Sequence, residues 1–180
     1  MKRAALALVL LALAPSAAFA GGSGGYVSLG VGTTANTGGD LSNMDGGGLG
    51  GSLFVGQKLG MFGVEAGLAK FKYENATQSW DNISLAAAGR FTLPIVPMVG
   101  AYLRVGIEKT WSDGSTNNSG ADYTGTGWLA GIGAQYKLNL GFSEGAVWAD
   151  YTRHDTSFVN DTRSRDGNID VISAGITVGF

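Results

Sequence analysis

Apolar and polar residues alternate with a period of two over eight stretches of this chain, each bounded by clusters of Gly, Asn, Asp and Ser. Phe62, Val64, Ala66 and Leu68 alternate with Gly63, Glu65, Gly67 and Ala69. Val99, Ala101, Leu103, Val105 and Ile107 alternate with Gly100, Tyr102, Arg104, Gly106 and Glu108. Because successive strand side chains point to opposite faces, each stretch is a β-strand with one apolar and one small or polar side. The pattern predicts strands at about Gly25 to Gly32, Leu49 to Gln57, Phe62 to Tyr73, Ile83 to Leu93, Met98 to Trp111, Gly127 to Lys137, Gly145 to Arg153 and Asn168 to Phe180.

The connections alternate in length. Lys58 to Met61, Pro94 to Pro97 and Leu138 to Ser143 are short, whereas Thr33 to Gly48, Glu74 to Asp81, Ser112 to Thr126 and His154 to Gly167 are longer and polar. Tight turns on one side and extended loops on the other characterise up-and-down barrels of outer membranes, with the turns on the periplasmic side. The faces point the same way. A soluble barrel would carry a polar face dense in Lys, Glu and Thr; here that face is mostly Gly, Ala and Ser with isolated charges. Small residues suit a narrow interior, so the apolar face is expected to look outward into lipid. Hydrocarbon tolerates no unpaired backbone edge, and the sheet must therefore close. The fold class predicted is all-β, an eight-stranded antiparallel up-and-down transmembrane β-barrel. Tyr73, Trp80, Trp111, Tyr123, Trp128 and Tyr151 toward the loops, and Phe62, Phe91, Tyr136, Phe142 and Phe180 toward the turns, would form its interfacial aromatic girdles.

Composition narrows the picture. There are 31 glycines and only 14% charged residues, and the most hydrophobic stretch, Leu93 to Ile107, is broken by Pro94, Pro97 and Arg104, so no segment reads as a spanning helix. Without cysteine, disulfides, thiolate metal sites and cysteine nucleophiles are excluded. A net charge of −2 without a basic cluster speaks against nucleic acid. Met1-Lys2-Arg3, the apolar run Ala4 to Leu13, Pro15 and Ala18-Phe19-Ala20 read as a signal peptide, residues 1–20, cleaved before Gly21. Residues 21–180 are then one outer-membrane barrel domain.

The last strand resembles the terminal signal by which outer-membrane barrels are recognised for assembly: Ser173, Gly175, Val178 and Phe180 fill its polar, glycine, hydrophobic and aromatic places. Gly63-Val64-Glu65-Ala66-Gly67-Leu68 resembles the Gly-hydrophobic-Glu-Ala-Gly strand of the OmpA-like barrels, a group that includes OmpX/Ail and the neisserial surface protein. Asp150-Tyr151-Thr152-Arg153 resembles the acidic-Tyr strand before their last loop. The resemblance implies residence in the cell outer membrane after export through the periplasm. It also implies contact with outer-membrane lipid and lipopolysaccharide, and assembly by the barrel-assembly machinery and periplasmic chaperones. The peptidoglycan-binding domain of longer members is absent from this sequence.

Parity places Glu65, Arg90, Arg104, Glu108, Asp150 and Gln135 in the lumen. A buried ion-pair network is expected, each carboxylate facing an arginine, because an unpaired charge in a narrow barrel is costly. Glu65 and Arg90 fall at similar depth, with Arg104 and Asp150 nearer the middle. Such a network either gates a polar path or plugs the barrel and fixes its register; the width of eight strands favours the plug. His154, the only histidine, has Asp155, Thr156 and Ser157 beside it, the residue types of a nucleophile-base pair. Outer-membrane lipid A deacylases use His-x-Ser on an eight-stranded barrel; this chain offers His-x-Thr without the following Asn, and His154 is read as a loop-base residue at the interface. Asp155, Asp161, Asp166 and Asp170 lack the spacing of a calcium loop. The sequon matches Asn75-Ala76-Thr77, Asn82-Ile83-Ser84, Asn117-Asn118-Ser119 and Asn160-Asp161-Thr162 read as loop composition. The expectation is a protein without cofactor, metal or catalytic residues, serving envelope integrity and displaying loops to a host or other surface ligand. The alternatives are a narrow small-solute channel and a lipid A-modifying enzyme.

Overall fold

The computed structural model describes residues 24–42, 48–74, 78–116, 119–141, 143–159 and 164–180. Residues 1–20, Phe142 and most residues of three of the four sequons lie outside the described residues. The described chain forms eight strands: β1 (Gly25–Gly39), β2 (Leu49–Leu59), β3 (Phe62–Glu74), β4 (Gln78–Val96), β5 (Val99–Thr116), β6 (Ser119–Asn139), β7 (Glu144–Val159) and β8 (Ser164–Gly179). Each pairs antiparallel with the next. β1 also pairs with β8, from Tyr26↔Gly179 to Gly39↔Gly167 with one bulge between Thr34 and Asn36, and the sheet closes into a barrel. Among the described residues no helix is long and apolar enough to cross a membrane.

The strands outrun their predicted ends on the loop side. β4 begins at Gln78 rather than Ile83, β5 continues to Thr116, β6 begins at Ser119 rather than Gly127, and β7 continues to Val159 rather than Arg153. Ladders such as Ser112↔Tyr123 and Asp113↔Asp122 persist where the outward face has turned polar. Alternation in the sequence reports burial against an apolar environment, not pairing, so it fades while the hydrogen bonds go on. On the other side the turns are tight. Gly60 and Gly141 sit there with φ of +70° and +79°, a conformation open to glycine and strained for other residues.

The apolar face looks outward: Val64, Leu103 and Ile176 are 56%, 47% and 51% exposed, with Leu29, Val105, Ile107, Ile132 and Ile172 beside them. Burying so much apolar area requires lipid around the wall. The interior is not lined by small residues alone. Tyr26, Phe54, Phe71, Tyr102 and Trp148 are buried within it. Glycine makes room for them: Tyr26 lies against Gly56, Tyr102 against Gly133, and Trp148 against Gly30 and Gly175, where an added Cβ would collide with the ring. Three residues expected in the outer girdle also point inward. Tyr73, Trp80 and Tyr123 join Leu41, Phe71, Phe158, Ile169 and Val171 in an apolar cluster at the loop end. Strand parity carried past the apolar belt puts them there. Trp128 and Tyr151 stay outward, as do Phe62, Tyr136 and Phe180 at the turn end.

Candidate functional site

All eight strands send a side chain into one charged cluster in the turn-side half of the lumen. Arg104 on β5 is its centre, paired with Glu65 on β3 and, at 3.1 Å, with Asp150 on β7. Each carboxylate receives a phenol as well: Tyr26 on β1 donates to Glu65 at 2.7 Å and Tyr102 on β5 to Asp150 at 2.9 Å. Ser173 on β8 donates to the other oxygen of Asp150. Arg90 on β4 lies over the Tyr102 ring, 3.7 Å from its centroid, stands 4.0 Å from Glu65, and donates to Gln135 on β6 at 2.7 Å. The Phe54 ring of β2 faces Arg104 at 4.9 Å. Two carboxylates and two guanidiniums make the cluster neutral, and hydrogen bonds reach both acids, the condition under which buried charge is tolerable.

Glu108 stands apart from this cluster. It faces no arginine, contrary to the expectation for every lumen carboxylate, because it sits two lumen positions beyond Arg104 along β5, at a level where β4 beside it and β7 across the lumen carry hydroxyls and an imidazole. Ser84 donates to it at 2.6 Å and Thr156 at 2.9 Å, and His154 Nδ1 lies 2.8 Å away. His154 is thus in the lumen and not at a loop base. β7 runs through it, so it shares the inward face of Asp150, Thr152 and Thr156, with the Phe71 ring 4.7 Å from its own.

This geometry is not that of an activated nucleophile. In such a site a hydroxyl donates to the imidazole and the carboxylate orients the far side of the ring. Here Ser84 and Thr156 donate to the carboxylate itself. Asp155 and Ser157 alternate with His154 and Thr156 and point to the opposite face of β7. Above this layer Tyr73 donates to Asn82 at 3.5 Å and Ser112 donates to the same Asn82 oxygen. Asn82, one of the sequon asparagines, is therefore enclosed in the barrel, not on a loop.

Among the described residues, voids lie at two levels of the lumen. At the turn end a vestibule of about 980 Å³ opens to solvent, and Tyr26, Arg90 and Gln135 form its floor. Between the two polar layers is a cavity of about 30 Å³, room for one or two waters, lined by Arg104, Thr152, His154, Ser52, Ser173 and apolar neighbours. Among the described residues no group of three or more His, Asp or Glu side chains is arranged to hold a metal ion. Asp155, Asp166 and Asp170 are spread along the outer side of β7 and β8, Asp170 standing 3.9 Å from Arg153; Asp161 lies outside the described residues.

The four residues matched to an assembly signal, three in β8 and Phe180 just after it, occupy the closing seam. Ser173 and Gly175 face the lumen, and Val178 and Phe180 face outward. The Phe180 N–H donates to the Gly25 carbonyl at 2.8 Å, and its ring rests on Gly25.

The model of the outer membrane protein beta-barrel domain family matches residues 4–180. Among solved structures the chain is similar to neisserial surface protein A, with a TM-score of 0.72 and 15% identity over 89% of this chain and 100% of that one. It is also similar to Ail, the attachment invasion locus protein of Yersinia pestis, with a TM-score of 0.58 and 17% identity over 88% and 99% of the two chains. The N-terminal β-barrel domain of Pseudomonas aeruginosa OprF aligns with a TM-score of 0.58 and 12% identity over 88% and 97%. No curated protein sequence matches the chain.

Proposed function

The chain belongs to the outer membrane protein β-barrel domain family and is an outer-membrane protein; from that premise we propose that it is a structural, non-conducting element of the envelope that holds polar hairpins at the cell surface for attachment. The observation that carries this reading is the neutral cluster of Glu65, Arg90, Arg104 and Asp150, to which every strand contributes. It lies across the lumen just beyond the vestibule, with the Glu108 layer and the aromatic cluster further along. The ion-paired side chains are also tied to Tyr26, Tyr102, Gln135 and Ser173, so opening a path would unpair several buried groups together. Single-channel recording of the purified protein in planar bilayers is expected to give no reproducible steps. Regular open steps would replace this reading with that of a narrow small-solute channel, for which the vestibule is the natural entrance.

The display half of the proposal rests on the strands that continue above the apolar belt, β5 and β6 most of all. Cells expressing a variant with residues 112–126 replaced by a short turn are expected to attach less to host surfaces than wild type; equal attachment would remove that half. The protein is read as non-enzymatic, since His154 lies inside the wall, away from lipid, with its neighbouring hydroxyls committed to Glu108. Mass spectrometry of lipid A from expressing cells should show an unaltered acyl pattern.

A further inference from the structure

The vestibule at the turn end has a donor wall and an acid wall. On the β4–β6 side Arg90 and Gln135 are at its floor, and Lys137 holds the next lumen position along β6 toward the mouth. Among the described residues no carboxylate is within ion-pair distance of Lys137. The acids lie around the other side: Glu144 on β7, 3.9 Å from Lys58 on β2, and the terminal carboxylate of Phe180 beyond β8. The neutral cluster behind the floor turns a cation toward this space. Arg90 lines the vestibule, whereas Glu65 and Asp150 do not, each being bonded further in to a phenol and to Arg104.

Arg90 settles which way the Gln135 amide points. A guanidinium has only donors, so the amide oxygen must face it, and Nη2 of Arg90 donates to Oε1 at 2.7 Å. Nε2 is thereby turned away from Arg90 toward β5, where the residue paired with Gln135 is Gly100 and carries no side chain. A Cβ built at Gly100 would stand 3.5 Å from Nε2, 3.5 Å from the Thr92 methyl and 3.2 Å from the Leu93 carbonyl. Among the described residues no acceptor bonds to Nε2. Glycine thus leaves a notch beside an amide N–H group that has no protein partner. Arg90, with four N–H groups beyond the one given to Gln135, and the Lys137 ammonium are at neighbouring lumen positions. The acceptor among these three side chains, the Gln135 oxygen, is already taken by Arg90.

We infer that this notch binds the carboxylate of a small solute, with Arg90 and Gln135 contacting its oxygens and Lys137 supplying the balancing charge. Counting charges favours a monoanion. Arg90 is offset by Glu65, 4.0 Å away within the neutral cluster, so Lys137 is the one cation in excess on this wall. A dianionic phosphate would bring one charge too many. Guanidinium and amide are planar groups whose N–H bonds match the planar carboxylate, and a concave mouth with low-dielectric walls concentrates their field on an anion that enters. The turns of an outer-membrane barrel are periplasmic, so the solute arrives from that side. Conduction through the barrel would leave this site intact, and loss of binding would leave the plug intact, so the two proposals fail separately.

The test is a titration of the full barrel in zwitterionic detergent at constant ionic strength, followed by NMR of the Gln135 side-chain amide, with acetate as the probe and inorganic phosphate and chloride beside it. Acetate is expected to shift that amide saturably in wild type and to bind more tightly than either comparison anion. K137Q should bind acetate roughly tenfold more weakly, the loss of one charged contact. G100A keeps every charge and places a methyl beside Nε2, and it should weaken acetate at least as much. K70Q removes an equal charge from the exposed outer wall and should bind as wild type does. Absence of a saturable shift, phosphate or chloride binding as tightly as acetate, full binding by K137Q or by G100A, or an equal loss in K70Q would each overturn the inference. Should K137Q lose its heat-modifiable compact form, G100A and the comparison of anions on wild type decide alone.

Discussion

The two halves of the lumen neutralise buried carboxylates by different means. Toward the turns, Glu65 and Asp150 share Arg104, and the charges balance within one cluster touched by every strand. Toward the loops, Glu108 relies on two hydroxyls and His154, drawn from β4 and β7 alone, under a cover of aromatic rings. The contrast teaches that a buried acid can be held by one strong partner that fixes many strands or by several weak ones that fix few. The first arrangement constrains the register of the whole cylinder; the second constrains one side of it.

Removing the strong partner should therefore cost most. R104A leaves Glu65 and Asp150 buried without their shared cation and should destabilise the barrel by about 3–5 kcal/mol, read from the urea midpoint of unfolding in detergent or vesicles. Adding D150N to it should recover part of the loss, because Glu65 and Arg90 then balance and no net charge is left in the cluster. A full loss in the double variant would mean that Arg104 acts by packing on Phe54 and Tyr102. Next in size is E108A, expected to cost about 1–3 kcal/mol, since the stranded groups are mostly hydroxyls that can bond to water or to each other, as Thr110 and Ser84 do at 3.4 Å. If E108A proved as damaging as R104A, the contrast between the halves would fail. The smallest effect is expected from Y26F, which deletes one donor to Glu65 while Arg104 stays, at about 1 kcal/mol by the same measurement.

Much of this arrangement could be read from the chain before any coordinates. Across the apolar belt, lipid outside and packed interior inside make opposite demands on alternate residues, so strands, facing and the inward position of Glu65, Arg90, Arg104, Glu108 and Asp150 were all legible. Above the belt that contrast disappears. His154 has the inward parity of Asp150, and a strand extended through it would have revealed it where polar composition suggested a loop; Tyr73, the last residue of its predicted strand, already had the inward parity of Glu65, but an aromatic ring at a strand end suggested the outer girdle. The pairing of Glu108 with His154 was less accessible, since it depends on the relative height of β5 and β7, which no local pattern encodes. Nor did glycine content disclose that large rings fill the lumen. A residue that yields space leaves no mark of what takes it, as Gly133 beneath Tyr102 illustrates.

The continuation of β4 to β7 beyond the lipid has a thermodynamic corollary. A coil that recognises a ligand must give up its conformational freedom on contact, at a cost of about 1–2 kcal/mol for each backbone residue that becomes fixed. The paired segments around Ser112 and Tyr123 have already lost that freedom in folding. Whatever meets this rim encounters a surface shaped in advance, so changes to its side chains can retune recognition without a new ordering penalty each time.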